Sequence, residues 1–156
     1  MFPFAGAAIR RLNEAGMEVI VVANQSGVAR GYFPESLVQQ VNDLMQRELA
    51  AVGARLDGVY YCPHGPNDAC ECRKPKTGML VQAAREHHID LRRSYVVGDR
   101  YGDIELGFRG GCTSVLVRTG YGEEQVTLHG KDWPRQPDAV VENLEAAGDW
   151  ILARGK

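Results

Sequence analysis

The hydrophobic positions along this chain follow two alternating patterns. A continuous β-branched run predicts a buried strand at residues 17–23, and further strands are predicted at residues 56–62, 94–98 and 113–117, with a shorter one at 138–141. Between these runs, helical spacing of apolar residues predicts helices at residues 3–15, 34–52 and 77–88, a short helix to about Arg109, and a last helix that buries Leu144, Ala147 and Ile151. Residues 118–137, with glycines, a tryptophan and two prolines, are predicted to form a loop. Strands that alternate with helices predict an α/β fold with a parallel sheet.

The predicted helix at residues 34–52 has one apolar stripe, and Pro34 is well suited to its first turn. We expect this stripe to be the buried face of the helix. Its members are Leu37, Val41, Leu44, Met45, Glu48, Leu49 and Val52.

The composition is that of an ordinary globular domain. The chain has 156 residues, which favours a single domain, and 24% of them are charged, with a net charge of −2. Because the chain lacks the basic excess of nucleic-acid-binding proteins, we expect no nucleic-acid partner. The sequence shows neither an apolar run long enough to span a membrane nor a signal-peptide pattern, so we expect no membrane partner and a cytoplasmic location.

Three unusual polar segments each follow a predicted strand. They read NQSGVARG from residue 24, CPHGPNDACECRKPK from residue 62, and GDRYGD from residue 98. The C-terminal ends of parallel strands lie at one edge of the sheet, and ligands bind there in α/β folds. We therefore expect the three segments to converge on one site.

The second segment contains a set of potential metal ligands with the spacing C-x-H-x5-C-x-C: Cys62, His64, Cys70 and Cys72. Three thiolates and one imidazole are the composition of a closed, tetrahedral, structural Zn²⁺ site. Clustered cysteines in a cytoplasmic protein are more often metal ligands or catalytic groups than disulfides. The alternatives are disulfides or separate buried cysteines.

Charged residues of the second and third segments suit an anion and a metal ion. Arg73 and Lys74 directly follow the last potential zinc ligand, so a metal would fix their backbone and present them to a phosphoryl group. Asp99 ends a predicted strand and Asp103 lies four residues further on, and such oxygen ligands suit Mg²⁺. The alternatives are a solvated basic pair, and a helix cap at Asp99 with Asp103 favouring the helix dipole.

The first segment offers amide, hydroxyl and backbone N–H groups that could bind an oxyanion or a phosphate. An ordinary polar turn is the alternative. The residues concerned are Asn24, Gln25 and Ser26.

Taken together, NQSGVARGYF, YYCPH, CECRKPKTGML and SYVVGDRYGDIEL resemble the haloacid dehalogenase superfamily of phosphotransferases, and more narrowly its D-glycero-D-manno-heptose 1,7-bisphosphate 7-phosphatase family. The segments follow the family's order and spacing over nearly the whole chain. The related histidinol-phosphate phosphatases share the zinc loop and CRKPK but usually differ at NQSGVARG. The resemblance implies a Rossmann-like parallel sheet with helices on both faces. It also implies a phosphoric monoester hydrolase that removes the 7-phosphate through an aspartyl-phosphate, in the biosynthesis of lipopolysaccharide precursors.

The resemblance further implies roles for individual residues. Lys74 matches the catalytic lysine that neutralises the transferring phosphoryl group, and Asp99 matches an aspartate that binds the catalytic Mg²⁺. The implied positions that bind the phosphorylated sugar substrate are Asn24, Gln25, Ser26, Arg73, Lys74 and Arg100. The implied ligands of a structural Zn²⁺, in a zinc loop at residues 62–72, are Cys62, His64, Cys70 and Cys72.

Two features depart from the family pattern. The sequence contains no Asp-x-Asp-Gly, the motif on the family's first, central strand that supplies the nucleophile and the general acid/base. Ala23 stands where the family usually has Thr or Ser, whose hydroxyl binds a phosphoryl oxygen. We therefore expect an N-terminally incomplete domain over residues 1–156, without the central strand and with little or no phosphatase activity alone.

Several alternatives are open at this point. The motif could be absent because the chain is truncated or its gene model begins at an internal Met, because another chain supplies the strand, or because residues 17–23 and 94–98 pair directly in a shortened protein. The function could be that of the phosphatase, of a histidinol-phosphate phosphatase, or of a non-catalytic, zinc-stabilised protein that binds phosphosugars. The sequence determines neither the substrate anomer nor the oligomeric state.

Overall fold

The computed structural model describes residues 5–154, in which helices and parallel strands alternate along the chain. Two single-turn 3₁₀ helices lie at Leu91–Arg93 and Gly130–Asp132. The main elements are α1 Ala5–Glu14, β1 Ile20–Asn24, α2 Ser26–Ala29, α3 Glu35–Ala51, β2 Gly58–Cys62, α4 Gly78–His87, β3 Tyr95–Gly98, α5 Tyr101–Gly110, β4 Thr113–Val117, α6 Gly122–His129, β5 Ala139–Val141 and α7 Leu144–Arg154.

The strands form two parallel sheets with a break between them. β1 pairs with β2, in a register that sets Val22 opposite Tyr60, while β3, β4 and β5 form a second sheet in that order. Within residues 5–154, β1 and β3 do not pair with each other. The expected parallel α/β fold is thus confirmed. Every residue of β1 is only half-buried, whereas β4, with a neighbour on each side, is buried from Ser114 onward.

Helices on both faces hold the two sheets together. On one face, Ile9 of α1 and Leu49 of α3 pack with Val21 of β1. On the other face, Leu80 of α4 and Leu106 of α5 share a cluster that includes Val96 of β3 and, from across the break, Val22 of β1. Successive residues of a strand point to opposite faces, which explains why neighbouring valines of β1 join different clusters. α7 covers β4 and β5, and α1 packs against α7.

Several predicted elements differ from the structure, and two of the differences have clear local reasons. The strand predicted at residues 17–23 begins at Ile20, because the N–H of Met17 still bonds to the carbonyl of Leu12 and closes α1 across Gly16, whose φ is +85°. The prediction of a loop at residues 118–137 was wrong, because this interval contains α6. Two acidic residues in the first turn of α6 favour a helix there. Positions 3 and 4 of the first predicted helix lie outside the described residues.

The buried stripe predicted for α3 was also wrong. The buried row contains Val38 and Leu49, with Asn42 and Met45 half-buried between them. This row runs beside the predicted stripe, and most of that stripe faces solvent: Leu37, Val41, Leu44, Glu48 and Val52 are exposed. The apolar arc of α3 is wider than the surface that α3 covers, so the sequence pattern alone did not select the contact face.

Candidate functional site

The four predicted zinc ligands meet in the loop after β2. Their donor atoms all lie within 4.8 Å of one another, and Cys62 is completely buried. The Sγ atoms of Cys62 and Cys70 are 3.8 Å apart, and His64 Nδ1 lies 3.4 Å from Cys62 Sγ and 3.3 Å from Cys72 Sγ. Tetrahedral zinc with ordinary bond lengths would place two sulfurs about 3.8 Å apart, and a sulfur and a nitrogen about 3.5 Å apart. This set can hold a metal ion, and its geometry fits Zn²⁺.

The thiols of this cluster differ in how readily they ionise. Burial, together with the neighbouring thiols Cys62 and Cys70, raises the pKa of Cys72 to about 12. Burial also opposes ionisation of Cys70, but hydrogen bonds from the backbone N–H groups of Arg73 and Cys72 and from the Cys62 and Cys72 thiols together outweigh it and lower the pKa of Cys70 to about 7. Three adjacent thiolates repel one another, so a bound cation is needed to hold all three charges.

Lys74 is fixed at the centre of the candidate site by three contacts. Its backbone N–H donates to Asn24 Oδ1 at 3.0 Å, at the end of β1. Its ammonium group donates to the carbonyl of Val22 at 3.3 Å and to Asp103 Oδ1 at 2.6 Å. The side chains of Lys74 and Asp103 are only 17% and 12% exposed. Lys74 therefore joins the zinc loop, β1 and α5 at the C-terminal edge of the strands.

Asp103 has a structural role in addition to this ion pair. Its Oδ2 accepts the N–H of Arg100 at 3.3 Å and so caps the start of α5. Its side chain also packs directly against Gly98, where any Cβ would collide with it. From the sequence, Asp103 was expected only as a metal ligand or as a residue that favours the helix. Its position in the first turn of a helix could have predicted the cap, whereas no sequence pattern predicts its ion pair with Lys74.

Asp99 directly follows β3, and the segment around the start of α6 fixes its carboxylate. The N–H of Tyr121, at the start of α6, donates to Asp99 Oδ2 at 3.1 Å, and Gly120 packs against the same oxygen. The guanidinium of Arg100 lies 4.0 Å above the ring of Tyr121. The sequence does not predict these contacts of Tyr121, because no local pattern connects it to residues some twenty positions earlier.

The remaining predicted positions lie around Lys74. Arg73 donates from Nη1 to the carbonyl of His64 at 3.2 Å, so the zinc loop orients its side chain. Gln25 donates its N–H to the carbonyl of Cys62 at 2.7 Å, which ties the end of β1 to the first zinc ligand. Ser26 begins α2 and is half-buried. The three segments thus converge, while Mg²⁺ binding by Asp99 and the individual substrate contacts stay predictions.

Comparison with known proteins supplies the family. A hydrolase family described as "HAD-hyrolase-like" matches residues 71–147. The D-glycero-D-manno-heptose-1,7-bisphosphate 7-phosphatase of Thermosynechococcus vestitus is 42% identical, over 97% of this chain and 82% of that protein. The D-glycero-beta-D-manno-heptose-1,7-bisphosphate 7-phosphatase of Pseudomonas aeruginosa is 39% identical, over 96% of this chain and 82% of that protein.

The chain belongs to the heptose 1,7-bisphosphate 7-phosphatase family. Its fold agrees with that of the D,D-heptose 1,7-bisphosphate phosphatase from B. bronchiseptica, crystallised with magnesium and phosphate, at a TM-score of 0.89 and 38% identity, over 98% of this chain and 84% of that one. The corresponding enzyme from Burkholderia thailandensis gives a TM-score of 0.73 and 33% identity, over 97% and 86% of the two chains. The family resemblance and the class of phosphoric monoester hydrolase expected from sequence are therefore confirmed.

Among the helices of residues 5–154, none combines the length and the hydrophobicity that crossing a membrane needs.

Proposed function

We propose that this chain forms the substrate- and phosphate-binding part of a phosphatase that removes the 7-phosphate of D-glycero-D-manno-heptose 1,7-bisphosphate. The observation that carries the proposal is the position of Lys74, fixed between the zinc loop, β1 and α5 beside Asn24. A buried, oriented ammonium group at the C-terminal edge of a parallel sheet suits a transferring phosphoryl group, because phosphoryl transfer depends on positioning and charge neutralisation.

The substrate follows from the relatives, whose names state that they act on heptose 1,7-bisphosphate. In this proposal Asn24, Gln25 and Ser26 face the sugar, and Arg73 and Arg100 contact its anionic groups. Arg73 suits this role because, among the contacts of residues 5–154, its guanidinium is engaged only at Nη1, by the carbonyl of His64, and the rest of it can bind an anion bidentately. The protein would act in the cytoplasm.

Two metal ions complete the proposal. Zn²⁺ would be held by the Cys62, His64, Cys70 and Cys72 cluster, whose donor spacing fits it, and would order the loop that carries Arg73 and Lys74. Mg²⁺ would be held by Asp99 together with ligands outside this chain's described residues, and when bound it supplies positive charge to the phosphoryl oxygens. Magnesium and phosphate accompany the crystallised relative from B. bronchiseptica.

We also propose that the chain alone does not turn the substrate over. Its sequence has no Asp-x-Asp-Gly, and Ala23, at the end of β1, offers no hydroxyl to a phosphoryl oxygen. Without a nucleophilic carboxylate no aspartyl-phosphate can form, and what remains is binding and charge neutralisation.

Phosphate release and calorimetry test both halves of this proposal. The zinc-loaded chain with Mg²⁺ should bind heptose 1,7-bisphosphate and release no phosphate. A fusion that places a strand with Asp-x-Asp-Gly ahead of residue 1 should release phosphate from the bisphosphate and leave the heptose 1-phosphate, identified by ³¹P NMR. The fusion should hydrolyse heptose 1,7-bisphosphate faster than histidinol phosphate. Lys74→Met in the fusion should lower the rate by roughly 100-fold or more. Lys131→Met, at an exposed lysine, is the matched control and should have no effect.

A non-catalytic phosphosugar-binding protein is the second candidate, and Ala23 favours it, because a hydroxyl usual in the family is replaced by a methyl group. A fusion that binds heptose 1,7-bisphosphate but releases no phosphate would select this candidate. Phosphate release by the chain alone would contradict the proposed need for an external nucleophile. Failure of either protein to bind the bisphosphate would contradict both functions.

A further inference from the structure

The segment from Arg118 to Gln136 contacts the three residues that directly follow β3, Asp99, Arg100 and Tyr101. Tyr121 donates its N–H to Asp99 Oδ2 and lies under the guanidinium of Arg100. Gln125 Oε1 accepts the N–H of Tyr101 at 3.1 Å, and the ring of Tyr101 stacks on Trp133 with 4.9 Å between centroids. The segment from Arg118 to Gln136, which includes α6, therefore lies directly over the polar residues that follow β3.

The contact between Arg100 and Tyr121 is the one that bears on substrate. Arg100 is exposed, and within residues 5–154 no carboxylate lies within 4.0 Å of its guanidinium nitrogens. The face of an aromatic ring attracts a guanidinium without neutralising its charge. The stacking on Tyr121 therefore orients Arg100 and leaves its N–H groups able to bind an anion.

Tyr121 itself is not part of the hydrophobic core, because 52% of it is exposed. Its backbone is held in place by the bond to Asp99 and by the positive φ of Gly120, +65°, which lets the loop turn against that carboxylate. The tyrosine ring is thus presented at a fixed position, and its exposed surface is available to position another group.

We propose that Tyr121 is a positioning residue of the binding site, which holds the guanidinium of Arg100 in the orientation that binds an anionic group of the phosphorylated sugar. This inference rests on the proposed function, in which Arg100 contacts the substrate. Tyr121 acts through Arg100 and does not itself touch reacting atoms.

The test measures the orientation of Arg100 and the binding of heptose 1,7-bisphosphate separately. The Arg100 Nε–Hε resonance, assigned by its loss in Arg100→Lys, should show an upfield ring-current shift in the zinc-loaded chain at low temperature. Tyr121→Leu should abolish this shift and weaken binding of the bisphosphate, by calorimetry, about two- to five-fold, as expected for an exposed cation–π contact. Tyr121→Phe keeps the ring and should match the parent chain in both measurements.

A double-mutant comparison distinguishes positioning from a general structural effect. In an Arg100→Met background, Tyr121→Leu should cause no further loss of affinity. An equal loss in both backgrounds, or an Arg100 resonance that Tyr121→Leu leaves unchanged, would overturn the inference. If the parent chain fails to bind the bisphosphate while the resonance responds as expected, the proposed function fails and the positioning of Arg100 by Tyr121 stands.

Discussion

The pair formed by Lys74 and Asp103 gives the most direct prediction about the site. Asp103→Asn removes the negative charge while preserving an oxygen that can still cap the N–H of Arg100. Lys74 would then be left as a largely buried ammonium group with only neutral acceptors, among them the carbonyl of Val22. We expect the folded state to be destabilised because the desolvation of the lysine is no longer compensated.

The magnitude follows from the burial of the pair. At an effective dielectric constant of about 20, two unit charges 2.6 Å apart attract by about 6 kcal/mol, and desolvation of both groups offsets more than half of this. Exposed pairs contribute about 0–1 kcal/mol and fully buried pairs lose about 3–5 kcal/mol when one partner is removed. With side chains 17% and 12% exposed, Asp103→Asn should cost about 2–3 kcal/mol of unfolding free energy.

Urea unfolding of the zinc-loaded protein measures this cost. A loss of about 2–3 kcal/mol corresponds to a midpoint shift of about 1 M for a protein of this size. Glu105→Gln is the matched control on the same helix, because the pair of Glu105 with Arg109 is exposed and should contribute less than about 0.5 kcal/mol. In a double-mutant cycle, Lys74→Met and Asp103→Asn should show a coupling of about 1–3 kcal/mol. A cost no larger than that of Glu105→Gln, or strictly additive effects, would refute this account.

Three further predictions concern other parts of the fold. Cys70→Ser should lower the zinc content measured by atomic absorption, while Cys112→Ser, outside the cluster, should retain it; equal loss in both variants would contradict the assigned ligands. A hydrogen bond to Glu86 raises the pKa of Tyr60 to about 12, so Glu86→Gln should move the phenol titration at 295 nm toward pH 10, and an unchanged titration would count against the bond. Because the pKa of Tyr60 is higher in the folded state, the bond of its protonated phenol to Glu86 contributes fully to stability below about pH 10. This contribution is lost as the pH rises toward 12. Gly120→Ala should cost roughly 1–2 kcal/mol in urea unfolding, because φ is +65° and a carboxylate packs against the added methyl position; an unchanged midpoint would contradict this.

The features that the sequence predicted well are those encoded locally. The strand at residues 113–117 has the same bounds in the structure, because a short run without charges, ending in three apolar residues, suits a strand buried between two neighbours. The metal cluster was equally visible, because its four ligands lie within a segment of eleven residues. The convergence of the three loops was predicted from the parallel topology, since each loop extends from the C-terminal end of a parallel strand.

The features that the sequence did not predict depend on which surfaces meet in the folded chain. The apolar arc of α3 is wide, and only packing in the folded chain, such as that of Leu49 against Ile9 and Val21, selects the buried part while Val41 stays exposed. Residue spacing could not predict the partner of Lys74, because Asp103 lies 29 residues further along the chain, on α5. The contact of Tyr121 with Asp99 spans 22 residues and uses a backbone N–H, which has no sequence signature.

The position of Lys74 connects the zinc loop to the break in the sheet. Its ammonium group bonds on one side to Val22 in β1 and on the other to Asp103 in α5, which follows β3. These are the two strands that border the break, so Lys74 is a polar contact between the two sheets, as Val22 is an apolar one. Because these two bonds reach elements on both sides of the break, an increase in the separation of β1 and α5 would stretch at least one of them. Because the zinc loop fixes the lysine backbone beside Asn24, the separation of the sheets and the geometry of the proposed phosphate site are coupled through this one side chain.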